Sequence, residues 1–309
     1  MPEADLRDTF GNFLVEIGKN NSKIVVLDVD LSASTKTSKF AKAFPNRFFN
    51  VGIAEQNMLG IAMGLAISEK IPVVSGFSIF TIGRAWEFIR FVCHDNLNVK
   101  IITTHGGIVG KDGSTHNALE DLSLMSSLPN LNVLVPSDNI ELNEILNYVF
   151  KSKGPFYVRL PRGSFPNIHK NNYKFIFADP DVLKQGTDLC LIGTGYGSFL
   201  ALNSAAIIEE ELKISTKVIN LPCIKPINKK SLLTEIKSVK TIVVIEEHNI
   251  YCGVGSILAR IISEHNPKTI ISIGVNDAFC ESGNREDILS SYGLNEKTIL
   301  DQVKKIMHE

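Results

Sequence analysis

Residues 50–66, NVGIAEQNMLGIAMGLA, place a lone acid, Glu55, where a strand-like run gives way to a helix rich in small residues. Gly60, Ala62, Gly64 and Ala66 would let that helix lie close to another backbone. An acid at a helix start commonly complements the helix dipole. Buried at an interface, the same carboxyl can instead donate to a heterocycle nitrogen and exchange a proton with it. GFSIFTIGRAWEFIR, residues 76–90, puts Phe77 and Phe80 between a strand and a helix. Such rings ordinarily pack a core, but a pair at a strand end can also stack on a planar ligand. THGGIVGKDGSTHNALED, residues 104–121, carries His105, Asp112 and His116 in a loop with four glycines. Ionisable groups clustered in a loop are more often a site than packing. The spacing fits no common zinc pattern and no cysteine is near, so hydrogen bonding and proton transfer to a polyhydroxylated substrate are favoured. VRLPRG, residues 158–163, adds Arg159 and Arg162 after a predicted strand, where an anion can be recognised. GTGYG, residues 193–197, lacks the full dinucleotide fingerprint and reads as a tight strand-to-helix turn.

Such residues need a frame. KIVVLDVD (23–30), IPVVSGF (71–77), VKIITTH (99–105), LNVLVP (131–136) and PFYVRL (155–160) are short apolar, β-branched runs. They alternate with stretches of helical apolar spacing, which implies α/β organisation with a parallel sheet covered on both faces. Sites in such sheets lie at the carboxyl ends of strands, which singles out Asp30, Phe77 and His105. Residues 166–186 lose the apolar period and read as a linker, and a second alternating block runs through LCLIGTG, TKVINLP, KTIVVIEEH and KTIISIGV. EEHNIYCGVGS reads as a connection leading into a glycine-opened helix. The expected division is 1–165, a linker at 166–186, and a smaller α/β domain at 187–309, each domain doubly wound.

Composition narrows the function class. The net charge of -1 gives no electrostatic case for nucleic acid or a membrane surface. No window approaches the roughly 20 apolar residues of a membrane helix, and the first residues do not form a secretory signal. Five scattered cysteines without a CxxC pair point to reduced thiols and a cytoplasmic setting.

Taken in order, these segments resemble the pyrimidine-binding and C-terminal domains of transketolases, across essentially the whole chain and most strongly over 24–162. GIAEQ resembles the glutamate motif, which implies that Glu55 bonds the aminopyrimidine of thiamine diphosphate. FSIF resembles the aromatic segment, which implies Phe77 and Phe80 around that ring. DVDLSAS resembles the segment with an aspartate near the thiazolium and a serine at the sugar phosphate, mapping to Asp30 and Ser34. The THGG…KDGSTH segment resembles the paired-histidine loop, which implies that His105, Asp112 and His116 face substrate hydroxyls, with Glu55, His105 and His116 catalytic. Arg162 matches the arginine for the sugar phosphate, and Arg7 matches a second one. Two departures stand out: the stretch from His105 to Asp112 is one residue shorter than the family's usual pattern, and Gly83 stands where many members have a larger ring-packing residue. The family's GDG segment, which holds the metal and diphosphate, does not occur here. The resemblance therefore implies a split enzyme. A separate N-terminal subunit would hold the diphosphate and Mg²⁺ or Ca²⁺, in an α2β2 heterotetramer. The implied reaction moves a two-carbon glycolyl unit from a ketose, phosphorylated or similarly anionic, to an aldose, as in the pentose phosphate pathway. Deoxyxylulose-phosphate synthase shares GIAEQ and the PRG ending but normally lacks a histidine at the position of His105. The β subunit of 2-oxo-acid dehydrogenases has a different histidine loop. A non-catalytic scaffold subunit would not need Glu55, His105 and His116 together.

Overall fold

The computed structural model describes residues 3–308. Its first sheet has seven strands, in spatial order Cys223–Lys225, Asn132–Leu134, Phe156–Arg159, Lys100–Thr103, Ile71–Ser75, Ile24–Asp28 and Phe48–Asn50. All neighbours run parallel except the first pair. The central strands are buried along their length and mostly apolar because helices cover both faces; the polar residues they carry, such as Asp28, Lys100 and Arg159, are buried too. The sheet is thus mixed rather than wholly parallel. Its antiparallel edge strand, Cys223–Lys225, comes from far along the chain and shields an edge that would otherwise offer unpaired backbone groups.

The second sheet has five strands, ordered Thr269–Val275, Thr241–Asn249, Leu189–Gly193, Thr216–Asn220 and Asp181–Lys184. Its last strand is antiparallel and lies inside the stretch expected as linker. Glu246, Glu247 and His248, shared between the expected run KTIVVIEEH and the expected connection EEHNIYCGVGS, belong to the strand Thr241–Asn249 and are all buried. Residues 193–197 form the expected tight turn into the helix Tyr196–Leu212. A Cβ on Gly197 would stand 2.2 Å from the Ile245 carbonyl, so only glycine allows that approach. The helix Leu6–Asn20 was not anticipated; it buries Leu6, Phe10 and Leu14 and is capped by the Asp5 carboxylate, which accepts from Arg7 N at 2.9 Å.

The two sheets are not independent bodies. One apolar cluster runs from Val25, Leu27 and Val133 of the first to Ile192, Ile219 and Ile242 of the second. A polar latch lies between them as well. His169 Nδ1 and Nε2 bond Asp138 Oδ2 and Asp181 Oδ2, both at 2.9 Å. The buried Glu141 carboxylate accepts from Ser137 Oγ at 2.6 Å, Tyr173 Oη at 2.8 Å and Asn220 Nδ2 at 2.7 Å. Burial alone would lower the His169 pKa, but its bonds to Asp138 and Asp181 and the Glu141 charge push it up to about 10. Glu141, His169 and Asp181 bring donor atoms within 4.8 Å of one another, yet a charged imidazole with both nitrogens bonded to carboxylates has no lone pair for a metal. No helix among the described residues is long and apolar enough to cross a membrane.

Candidate functional site

The strands Phe156–Arg159, Lys100–Thr103, Ile71–Ser75 and Ile24–Asp28 are consecutive neighbours, so residues just past their ends lie side by side. Arg162, His105, Phe77 and Asp30 are those residues. Each leaves its strand differently. Phe77 extends the pairing through a parallel bridge to Thr104. His105 turns into the left-handed region at φ 61° and is followed by Gly106, where a Cβ would stand 2.5 Å from the Arg159 side chain. Asp30 also has a positive φ, 66°. Its turn is shaped from beneath by buried Asp28, which accepts from Leu31 N at 2.6 Å and from the Thr35 and Thr37 hydroxyls at 2.8 Å.

Four rings meet at this edge. Phe77 lies 3.8 Å from His105 centroid to centroid, and 6.4 Å from Phe80 with 28° between planes. His116 approaches Phe80 edge-on at 5.1 Å and Phe77 at 6.2 Å. Phe80 does not precede the helix as expected; it is inside Ser78–His94, which bends at Ala85. His116 sits in the 3-10 turn Ser114–His116. The shortened loop therefore still returns His116 to the aromatic wall. Burial, reinforced by the Arg7 and Arg162 charges, pushes the His105 pKa down to about 3. His105 is thus neutral, with Nδ1 bonded to the Thr104 hydroxyl at 2.9 Å. We expect its ring resonances in an NMR pH titration to stay unchanged between about pH 5 and 8. A His105 midpoint near 6.5 would show the burial to be misplaced.

Glu55 opens the helix Glu55–Ile67 and is 4% exposed. Its carboxylate is not alone: Arg84 Nη1 donates to Oε1 at 2.9 Å. The Arg84 guanidinium lies 4.9 Å from the Phe80 ring centroid, and its side chain is 52% exposed. Sequence reading passed over Arg84, although its place four residues after Phe80 on one helix was a usable signal. Asn50 was missed too; its amide bonds the Asp30 carboxylate at 2.9 Å and its oxygen accepts from Asp30 N at 3.0 Å. A Cβ at Gly83 would meet nothing within 4 Å, so that position faces open space. Along the same helix pair, Ile53, Ile61, Ile67 and Phe91 are exposed apolar residues.

The three anion candidates already have partners. Arg7 forks onto Asp5 at 2.6 Å and reaches the Ser34 carbonyl at 3.4 Å. Arg162 pairs with Asp112 and also donates to the Val109 carbonyl at 3.3 Å. Arg159, weighed beside Arg162, is a core residue: it is buried, bonds Asp121 at 2.8 Å and donates to the Ala118 and Glu247 carbonyls. Four of the five cysteines are buried, and burial pushes their thiols up to about 12, which removes them as nucleophiles.

The chain matches two families in tandem: the transketolase pyrimidine-binding domain over residues 2–167 and the transketolase C-terminal domain over 179–299. A chain of Methanocaldococcus jannaschii, provisionally named a transketolase C-terminal section, is 41% identical, covering 98% of this chain and 96% of its own. One of the subunits of an apulose-4-phosphate transketolase from Actinobacillus succinogenes is 34% identical over 92% of each. Among solved structures, a split gene transketolase described as an inactive β4 tetramer is 42% identical, with a TM-score of 0.87 over 97% of both chains.

Proposed function

The chain belongs to the transketolase family, and from that premise we propose that it is the pyrimidine-side subunit of a two-chain, thiamine-diphosphate-dependent transketolase. The observation carrying this reading is the shared strand edge of His105, Phe77, Asp30 and Arg162, with Glu55 and Phe80 joined to it through Arg84. The residues fit a flat, nitrogen-bearing ring: a stacked pair of phenylalanines beside a carboxylate sheltered from water. The chemistry that thiamine diphosphate supplies when bound is an electron sink for breaking a C–C bond beside a carbonyl.

This chain's residues do the rest. Glu55 holds or passes a proton at its carboxylate oxygen toward a pyrimidine nitrogen; the half-exposed Arg84 is free to swing aside or stay as its counter-ion. His105, neutral, offers Nε2 to a substrate hydroxyl while Thr104 fixes its ring. His116 lines the same wall from the loop side and relays protons with it. Asp112 turns toward hydroxyls once a substrate anion draws Arg162 away, an exchange open to a pair about one-third exposed. Arg7 and Ser34 close the anion end, and Asp30 with Asn50 faces the thiazolium side. A relative named for a phosphorylated sugar supports a phosphate there. The favoured donor is a pentose-phosphate ketose, with a sulfonated sugar held by the same donors.

The exposed apolar residues Ile53, Ile61 and Ile67, on or just before the helix that Glu55 opens, support a partner lying over this part of the chain. That N-terminal subunit would carry the diphosphate and Mg²⁺ or Ca²⁺, in an α2β2 cytoplasmic assembly. The relative described as an inactive β4 tetramer supports the need for it. Co-expression with the N-terminal subunit and a screen of ketose phosphates tests the proposal. Two-carbon transfer to an aldose is expected only with both chains and thiamine diphosphate present. Release of CO2 from pyruvate in its place would give the site to a synthase or dehydrogenase reaction.

A further inference from the structure

We propose that the C-terminal domain sets the geometry of the histidine loop through Glu247 and Arg285, which act as positioning residues for sugar transfer. This rests on the reading of His105 and His116 as substrate-facing. The loop has a neck, where Gly107 and Ala118 exchange two backbone hydrogen bonds of 3.0 Å. Just inside the neck, Ile108 is held by both its peptide groups. Its N–H donates to Glu247 Oε1 at 2.6 Å, and its carbonyl accepts from Arg285 Nε at 3.0 Å. Arg285 Nη2 closes the triangle on Glu247 Oε2 at 2.6 Å. The guanidinium is itself fixed between Phe165 and Tyr196, at 4.9 and 4.7 Å. Gly107 must be glycine, because a Cβ there would stand 2.5 Å from Glu247 Oε1. Farther along, Ser282 Oγ donates to the Lys111 carbonyl at 3.0 Å.

Glu247, Arg285 and Ser282 come from the C-terminal domain and the loop, with Phe165, from the other. A charged pair buried at a junction is a poor adhesive, since desolvation offsets its attraction and apolar side chains would join the domains as well or better. What the pair adds is direction. It grips the two successive peptide groups that flank Ile108 Cα, and so orients the loop that brings Asp112 to Arg162 and His116 to Phe80.

The test uses Arg285→Ala and Arg285→Lys in the complex with the N-terminal subunit. Arg285→Ala is expected to lower kcat/KM for the ketose about 10–100-fold, with cofactor affinity unchanged. Arg285→Lys, which keeps the charge but not the fork, recovers part of it. On the chain alone, hydrogen exchange at 107–113 is expected to quicken about 10–100-fold while the helix Val254–His265 keeps its protection. If Arg285→Ala unfolds globally, Ser282→Ala decides, with quickened exchange confined to 110–113. Unchanged loop exchange overturns the inference, as does quickened exchange with unaltered sugar kinetics. A parent complex that transfers no two-carbon unit sinks the transketolase reading, and loop exchange then decides the clamp by itself.

Discussion

Glu55→Gln, assembled with the N-terminal subunit, is expected to lose roughly 10²–10⁴-fold in kcat/KM for two-carbon transfer, the range of a positioned proton-exchanging group. The substitution keeps size and an acceptor oxygen for Arg84, and removes the group that takes up and releases a proton. The fold should barely respond. Arg84, the partner, is 52% exposed, and ion pairs with so wet a member contribute little, about 0–1 kcal/mol. Steady-state kinetics beside a thermal melt and a sizing column separate the two readouts. Glu55→Ala is a harsher probe because it also strips Arg84 of its carboxylate and empties a buried space. Near-parental turnover in either variant would falsify the assignment of Glu55, whatever the family. A loss of assembly instead of turnover would recast Glu55 as an interface residue, since it opens the helix that carries Ile61 and Gly64 on its exposed side.

The second large effect concerns stability and lies far from the chemistry. His169→Gln is expected to destabilise the chain by about 3–5 kcal/mol, because it leaves Asp138, Asp181 and buried Glu141 without their shared cation. The pH dependence has a definite sign. The His169 pKa rises from 6.5 unfolded to about 10 folded, so its contribution is complete below about pH 6.5 and fades as pH climbs through about 10. Asp138 runs the other way: against its burial, the bond and charge of His169 hold its pKa below the ordinary value, so its share is lost under acid conditions. Urea unfolding of parent and variant at about pH 6, 8 and 10 reads this directly. The gap should be widest near pH 6 and narrow by pH 10. A constant gap across that range would mean that His169 packs rather than pairs.

How much was legible beforehand follows from the range of each interaction. The strands Ile24–Asp28, Ile71–Ser75 and Lys100–Thr103 each centre on an apolar run, because both faces of a parallel sheet are covered. Their carboxyl ends could thus be read as a site, with Asp30, Phe77 and His105 along it. Strands that break this pattern escaped notice. Asp181–Lys184 is half-buried with polar residues at both ends, and Cys223–Lys225 is three residues long. Each is a strand only because a neighbour supplies its ladder, and that neighbour is distant in sequence. Arg159 and Arg162 look alike in VRLPRG. One is the last residue of its strand and faces the core and Asp121; the other lies three residues past the strand end and faces the loop and Asp112.

Residue types and their local spacing alone determined the α/β class, the aromatic pair, the histidine loop and the glutamate at its helix start. Each of these is written within about one element's length of chain. Tertiary structure decided the rest: that Glu55 meets Arg84, that His105 is neutral, that Arg7 faces Asp5 beside Ser34, and that the histidine loop rests on Glu247 and Arg285. Apolar periodicity survives in a single segment because burial acts on every residue of a face. Protonation and pairing are set by a few charged atoms at about 3–4 Å, brought together from segments far apart in the chain.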